Sequence, residues 1–167
     1  MMLQEYGSKF NIVIIRRNFD RETLAYLSGF ADGEGCFSVT FNRSKRHKFG
    51  WDIRPSFSIS QNSDRAEVLN LFLEVFGCGT IRPDRSDRTL KFEIRSVEQL
   101  VRIVIPHFRV FPLRSSKQNE FLIFAEICEL MVKKNHLNKN GFDGIRQKAA
   151  YLNMYAKKKY SRFEIKI

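Results

Sequence analysis

The stretch Leu24-Ala25-Tyr26-Leu27-Ser28-Gly29-Phe30-Ala31-Asp32-Gly33-Glu34-Gly35 decides how this chain is read. Leu24, Leu27 and Phe30 recur at helical spacing, and Asp20 or Thr23 stands where an N-terminal cap belongs. Gly33-Glu34-Gly35 closes the helix, because glycines relieve strained backbone angles at a C-terminus. Ala25, Gly29 and Gly33 lie on one helix face, with Ser28 beside them. Glycine in a helix interior costs about 1 kcal/mol, so Gly29 needs a steric reason. The simplest reason is a second backbone passing close by. That backbone belongs either to another element of the chain or to the same helix of a second copy. In the second case Ala25, Ser28 and Gly29 form the contact, and a two-fold axis brings both copies of Glu34 together. Two facing carboxylates at the negative ends of their helices repel strongly. Divalent cations resolve the conflict, which leads from a small-residue stripe to metal-dependent phosphodiester chemistry.

Outward from this helix the pattern changes to strict alternation. Phe37, Val39 and Phe41 point one way, while Ser38, Thr40 and Asn42 point the other. A basic turn over Arg43–Lys48 leads to a second alternating run, with Trp51, Ile53, Phe57 and Ile59 on its apolar face. Pro55 within that run argues for an edge or a bulge. A helix capped by Ser63 or Asp64 runs to Phe76 and stops at Gly77. Strands Gly79–Pro83 and Thr89–Arg95 follow, joined by the charged turn Asp84–Arg88. A short helix from Ser96 ends at Pro106, a longer one starts near Ser115, and a last one spans Gly144–Lys159. The fold class is α+β: an αββαββα core with a four-stranded antiparallel sheet on helices, plus a C-terminal helix. One sheet face is buried and the other is wet.

The chain has 167 residues, which suits one domain. Residues 1–19 read as an N-terminal extension whose apolar burst, Phe10–Ile15, has no assigned place. Residues 20–158 form the domain, and 159–167 a tail. With 16 Phe residues the core is strongly aromatic, and a net charge of +11 favours a polyanion as partner. No apolar run reaches the roughly 18 residues of a membrane span. Cys36, Cys78 and Cys128 lack metal-site spacing and read as thiols of a reducing, intracellular compartment, a prokaryotic cytoplasm or an organelle matrix. His47, His107 and His136 have no mutual spacing and receive no catalytic role.

Residues 24–35 resemble the signature of the LAGLIDADG homing endonucleases in its variant ending Phe-Ala-Asp-Gly-Glu-Gly. Phe57–Gln61 resembles that family's second core strand, Phe111–Lys117 its later Tyr-Pro-Leu-x-Thr-x-Lys segment, and His136–Gly141 with the following helix its usual end. The resemblance implies a site-specific endonuclease that cuts both strands of duplex DNA and leaves 3′ overhangs. A single motif implies the homodimeric kind. Carried over by position, Glu34 and the Gly33 carbonyl are metal ligands, and Asp32 closes the helix end. Gln61 and Arg65 hold water and the scissile phosphate region. Lys117 is the basic residue of the centre, with Arg114 an alternative. Mg²⁺ is the implied cofactor, Ca²⁺ supporting binding without cleavage. The polar sheet face aligns with the family's DNA-reading surface through Thr40, Asn42, Ser44, Arg46, Arg54, Ser56, Ser58, Thr80, Arg82, Lys91 and Glu93. A ribbon of strands fits the major groove, where Arg reads guanine and Asn or Gln reads adenine. Two further readings share the fold: a maturase that binds its host intron RNA, and a DNA-binding protein without nuclease function.

Overall fold

Asp20 accepts the Thr23 amide at 2.6 Å and caps helix α1, Arg21–Glu34. The chain passes straight from Glu34 into strand β1, Gly35–Arg43, which pairs antiparallel with β2, Trp51–Asn62. Gly35 has an extended backbone (φ −73°, ψ 150°), so no left-handed residue ends the helix. Its role is steric instead: a Cβ there would lie 2.5 Å from the Ala31 carbonyl oxygen. The computed structural model describes residues 19–84 and 88–155. The expectations for residues 1–18, for 85–87 of the charged turn and for 156–167 lie outside them.

After a turn of 3-10 helix at Ser63–Arg65 comes α2, Glu67–Phe76, closed by Gly77 at φ 62°. Ser63 and Asp64 make no capping hydrogen bond to it. Strands β3, Thr80–Pro83, and β4, Thr89–Ile94, complete one sheet in the order β1-β2-β4-β3, every pair antiparallel. Pro55 pairs with Val39 of β1, while β4 reaches only as far as Phe57. The proline therefore sits where β2 is locally an edge, and its missing N–H costs no ladder bond.

The helix expected to end at Pro106 does not. Helix α3, Val97–Gln99, continues through a π-helical segment, Leu100–Val104, into α4, Ile105–Val110. Pro106 stands in the first turn of α4, directly after the widened turns. There its absent N–H and its ring are accommodated as at a helix start. Helix α5 spans Lys117–Val132, and α6 spans Lys139–Tyr155. The last helix thus begins ahead of Gly141 and Gly144 rather than at Gly144.

The apolar sheet face and the helices enclose a core of phenylalanines. Phe37 stacks on Phe57 with centroids 5.1 Å apart and meets Phe108, Phe121 and Phe124 within 5.5 Å. Phe72 and Phe92 close the other side, their centroids 5.8 Å apart. His107 lies in this core, 4 % exposed, between Phe76, Phe108 and Phe111. Burial lowers its pKa from 6.5 to about 4. Between those values the unfolded chain holds a proton that the folded one does not. Stability is therefore complete above about pH 6.5 and falls as pH drops towards 4, by about 3 kcal/mol. Urea midpoints across this range should show that loss, and His107→Leu should remove it. An unchanged pH slope in the variant would refute the assignment.

Candidate active site and nucleic-acid interface

Helix α1 ends in exposed backbone and an exposed acid. Gly33 and Glu34 are both open to solvent, and the Glu34 carboxylate has no hydrogen bond or ion pair among the described residues. Lys117, at the start of α5, reaches back and donates from Nζ to the carbonyls of Ala31 and Gly33, each at 3.1 Å. A lysine at a helix C-terminus offsets the negative end of the dipole. Asp32 makes the reciprocal contact. Its Oδ2 accepts the Arg114 and Ser115 amides at 2.9 Å, and its Oδ1 accepts the Ser115 hydroxyl. Burial opposes ionisation of Asp32, but the Ser115 hydroxyl, these amides and the Lys117 charge outweigh it and hold the carboxyl below its ordinary value. Asp32 therefore anchors the chain entering α5, while the end of α1 itself is capped by the Gly35 amide on the Ala31 carbonyl. Arg114 contributes its backbone here, while Lys117 brings its cation to the helix end.

The donors present fit a hard divalent cation. A free carboxylate and an adjacent carbonyl stand together at a negative helix end, and a lysine ammonium already occupies that carbonyl. One chain supplies too few ligands for the roughly six oxygens such an ion takes. Among the described residues no group of three or more His, Cys, Asp or Glu comes together.

Gln61 lies two residues beyond Ile59, the register partner of Gly35. Half-buried near the end of β2, it accepts the Asn62 amide at 3.0 Å. Arg65 is exposed in the turn that follows, its Nε 3.8 Å from Asp64. Neither makes a hydrogen bond or ion pair with Glu34 or Lys117 among the described residues.

The small-residue stripe is open. Ala25, Gly29 and Gly33 are exposed, and a Cβ at Gly29 or Gly33 would meet nothing within 4 Å. The segment 110–114 flanks the stripe, whose exposed small residues leave room for a second helix. Ser28 does not belong to the stripe. One helical step turns Ser28 inward, where it is 4 % exposed and its hydroxyl lies 3.1 Å from Nε2 of His107. Beside the stripe, Ala25, Gly29, Val110 and Phe111 line a groove of about 240 Å³.

On the wet sheet face Thr40, Asn42, Arg54, Thr80 and Arg82 are exposed, and Arg46 is exposed in the β1–β2 turn. Ser44, Ser56 and Lys91 are half-buried. Several are pre-positioned. Arg54 donates to Asp52 at 2.6 Å, Thr40 to the Arg54 carbonyl at 3.3 Å, and Ser56 lies 2.9 Å from the Ser38 hydroxyl. Two expectations need correction. Ser58 and Glu93, adjacent in register, are only 4 % and 7 % exposed, so neither is open to a base edge. Arg95, absent from the expected set, is 61 % exposed and pairs with Glu93. Its alternation with Lys91 and Glu93 was the available signal.

Comparison with known proteins meets this geometry at the same residues. The LAGLIDADG endonuclease family profile matches residues 27–128, from the middle of α1 into α5. The chain belongs to the LAGLIDADG endonuclease family. Among its relatives is "Probable intron-encoded endonuclease 2" of Neurospora crassa, 32 % identical over 130 residues, which cover 77 % of this chain and 29 % of that protein. The first three curated relatives are covered over only 24–29 % of their length. Among solved structures, the homing endonuclease I-TnaI superposes with a TM-score of 0.74 at 33 % identity, covering 78 % of this chain and 87 % of that one. I-SmaMI, bound to an uncleaved DNA target in the presence of calcium ions, superposes at 0.75 with 30 % identity, covering 79 % and 45 %.

Proposed function

We propose that this LAGLIDADG chain is one subunit of a homodimeric, site-specific endonuclease that hydrolyses both strands of a long, partly palindromic DNA duplex. The observation carrying this reading is the open Ala25–Gly29–Gly33 stripe that ends in Glu34, unpartnered among the described residues. Pairing two stripes removes exposed helix surface and sets two acids side by side, each lacking ligands that the other and the DNA supply. Mg²⁺, held by Glu34 and the Gly33 carbonyl, would supply charge stabilisation and a more acidic water. Lys117 and Arg65 would add positive charge where the attacked phosphate becomes most negative, and Gln61 would orient water. The sheet would lie in the major groove, which a ribbon of strands fits; that the neighbour I-SmaMI is bound to a DNA target supports DNA as the partner. The cuts would fall across the minor groove and leave four-base 3′ ends.

Strands of about 8 residues span about 27 Å, or about 8 base pairs of groove. Two such halves with a central step give a site of roughly 18–24 pairs. Selection from randomised duplexes should return two half-sites related by a two-fold. Sedimentation should show a dimer that Gly29→Leu converts to monomer, because the added side chain overpacks the contact. A single ungapped motif of about six pairs, or a wild-type monomer on DNA, would sink this reading.

A further inference from the structure

Glu93 is a buried acid on a sheet face rich in hydroxyls and bases. Its Oε2 receives Nε of Arg95 at 2.9 Å and an Nη of Arg82 at 3.2 Å. The two arginines are 61 % and 45 % exposed, while the acid between them is 7 % exposed. Each guanidinium carries five N–H donors in a rigid fork, and the bond to Glu93 uses a single nitrogen of each. The remaining donors stay available, on side chains whose freedom is already restricted. A buried carboxylate lacking such partners would be strongly destabilising, so the three residues hold together as a unit.

The unit has a definite place. Glu93 is paired in register with Ser58 of β2 and Thr80 of β3, and Ser58 with Cys36 of β1. This row crosses the sheet two residues beyond Glu34. The arginine pair therefore stands at the catalytic end of the sheet and not at its hairpin tip.

We propose that Glu93 is a positioning residue that holds Arg82 and Arg95 as a matched pair of guanine readers for the inner base pairs of each half-site. The proposal rests on the reading of the sheet as a DNA-binding surface. Arginine takes guanine through O6 and N7 together, and that bidentate geometry suffers when the fork is free to swing. Removing Glu93 also removes a negative charge from beside a polyanion. Sequence discrimination and overall affinity should then move in opposite directions, which a purely structural role for Glu93 would not produce.

The test is a panel of duplexes substituted one pair at a time through a selected site, bound by the full chain and by Arg82→Ala, Arg95→Ala, Glu93→Ala and Glu93→Gln. Each arginine variant should lose roughly tenfold to hundredfold discrimination at one inner guanine. Glu93→Ala should lose it at both positions while binding non-specific duplex more tightly, and the outer positions should be unaffected. Glu93→Gln, which keeps an acceptor, should fall between wild type and Glu93→Ala, and it carries the test should Glu93→Ala not fold. A wild-type preference that both Glu93 variants leave intact would overturn the proposal alone. Arginine variants that weaken every duplex equally would also overturn it, since they would mark phosphate contacts. No sequence preference in the wild-type protein would overturn the reading of the sheet and this proposal together.

Discussion

Glu34→Gln should abolish cleavage while leaving the DNA complex intact. The substitution keeps the volume of the side chain and removes its charge, at a position exposed at the end of α1 and unpartnered among the described residues. In the proposed dimer two such changes would remove the anionic character of the paired helix ends. Losing about 4 kcal/mol of charge stabilisation in the transition state corresponds to a rate loss of about a thousandfold. Binding in Ca²⁺ should persist or tighten, because two negative charges no longer face the phosphate backbone. Single-turnover cleavage in Mg²⁺ and equilibrium binding in Ca²⁺ separate the two effects. A variant that cuts near the wild-type rate would falsify the assignment of Glu34.

Salt should have an effect of similar size on affinity. The net charge is +11 per chain, and Arg46, Arg54, Arg82 and Arg95 are exposed on the sheet side or its turn. A dimer neutralising about 6–10 phosphates releases as many counterions, and its affinity should fall three to five decades between about 50 and 200 mM salt. Titrations at several salt concentrations give the slope directly. A flat response would contradict an interface made chiefly of phosphate contacts, and would leave base edges to carry the binding. Lys91→Ala, at a half-buried position in β4, should lower that slope by about one unit if the lysine meets phosphate.

The sheet was legible in the sequence because a half-wet hairpin imposes a period of two on every residue. The alternation around Phe37 and Phe57 predicted their shared face, and the two are direct partners in register. Helix boundaries were less legible, because proline and glycine have more than one use. Pro106 reads as a stop, yet the π-helical turns before it admit the ring. Gly144 reads as a helix start, yet α6 begins at Lys139 and takes in Gly141, where a Cβ would collide with the Asn135 carbonyl. At the candidate site, the motif and its distant companion segment pointed to Glu34 and Lys117, and Lys117 reaches the end of the helix that carries Glu34. Ser28 was placed on the wrong face by a single helical step. The Asp32–Ser115 contact joins residues 83 positions apart, and no local pattern signals a partner at that distance. Glu93 looked like a reader because periodicity gives the face of a residue but not its depth.

The exchange between Asp32 and the backbone of residues 114 and 115, and between Lys117 and the end of α1, has a consequence for synthesis. A ribosome adding about 5–20 residues per second takes roughly 4–17 s to pass from the end of α1 to Lys117. Through that interval the nascent chain already carries Glu34, while the contacts of Asp32 and of the α1 carbonyls with residues 114–117 are still missing. Phe121 and Phe124, which pack against the start of β1 through Phe37, come later still. A transcript broken before the Ser115 codon yields the whole signature helix without the contacts that Asp32 and Lys117 make at its end.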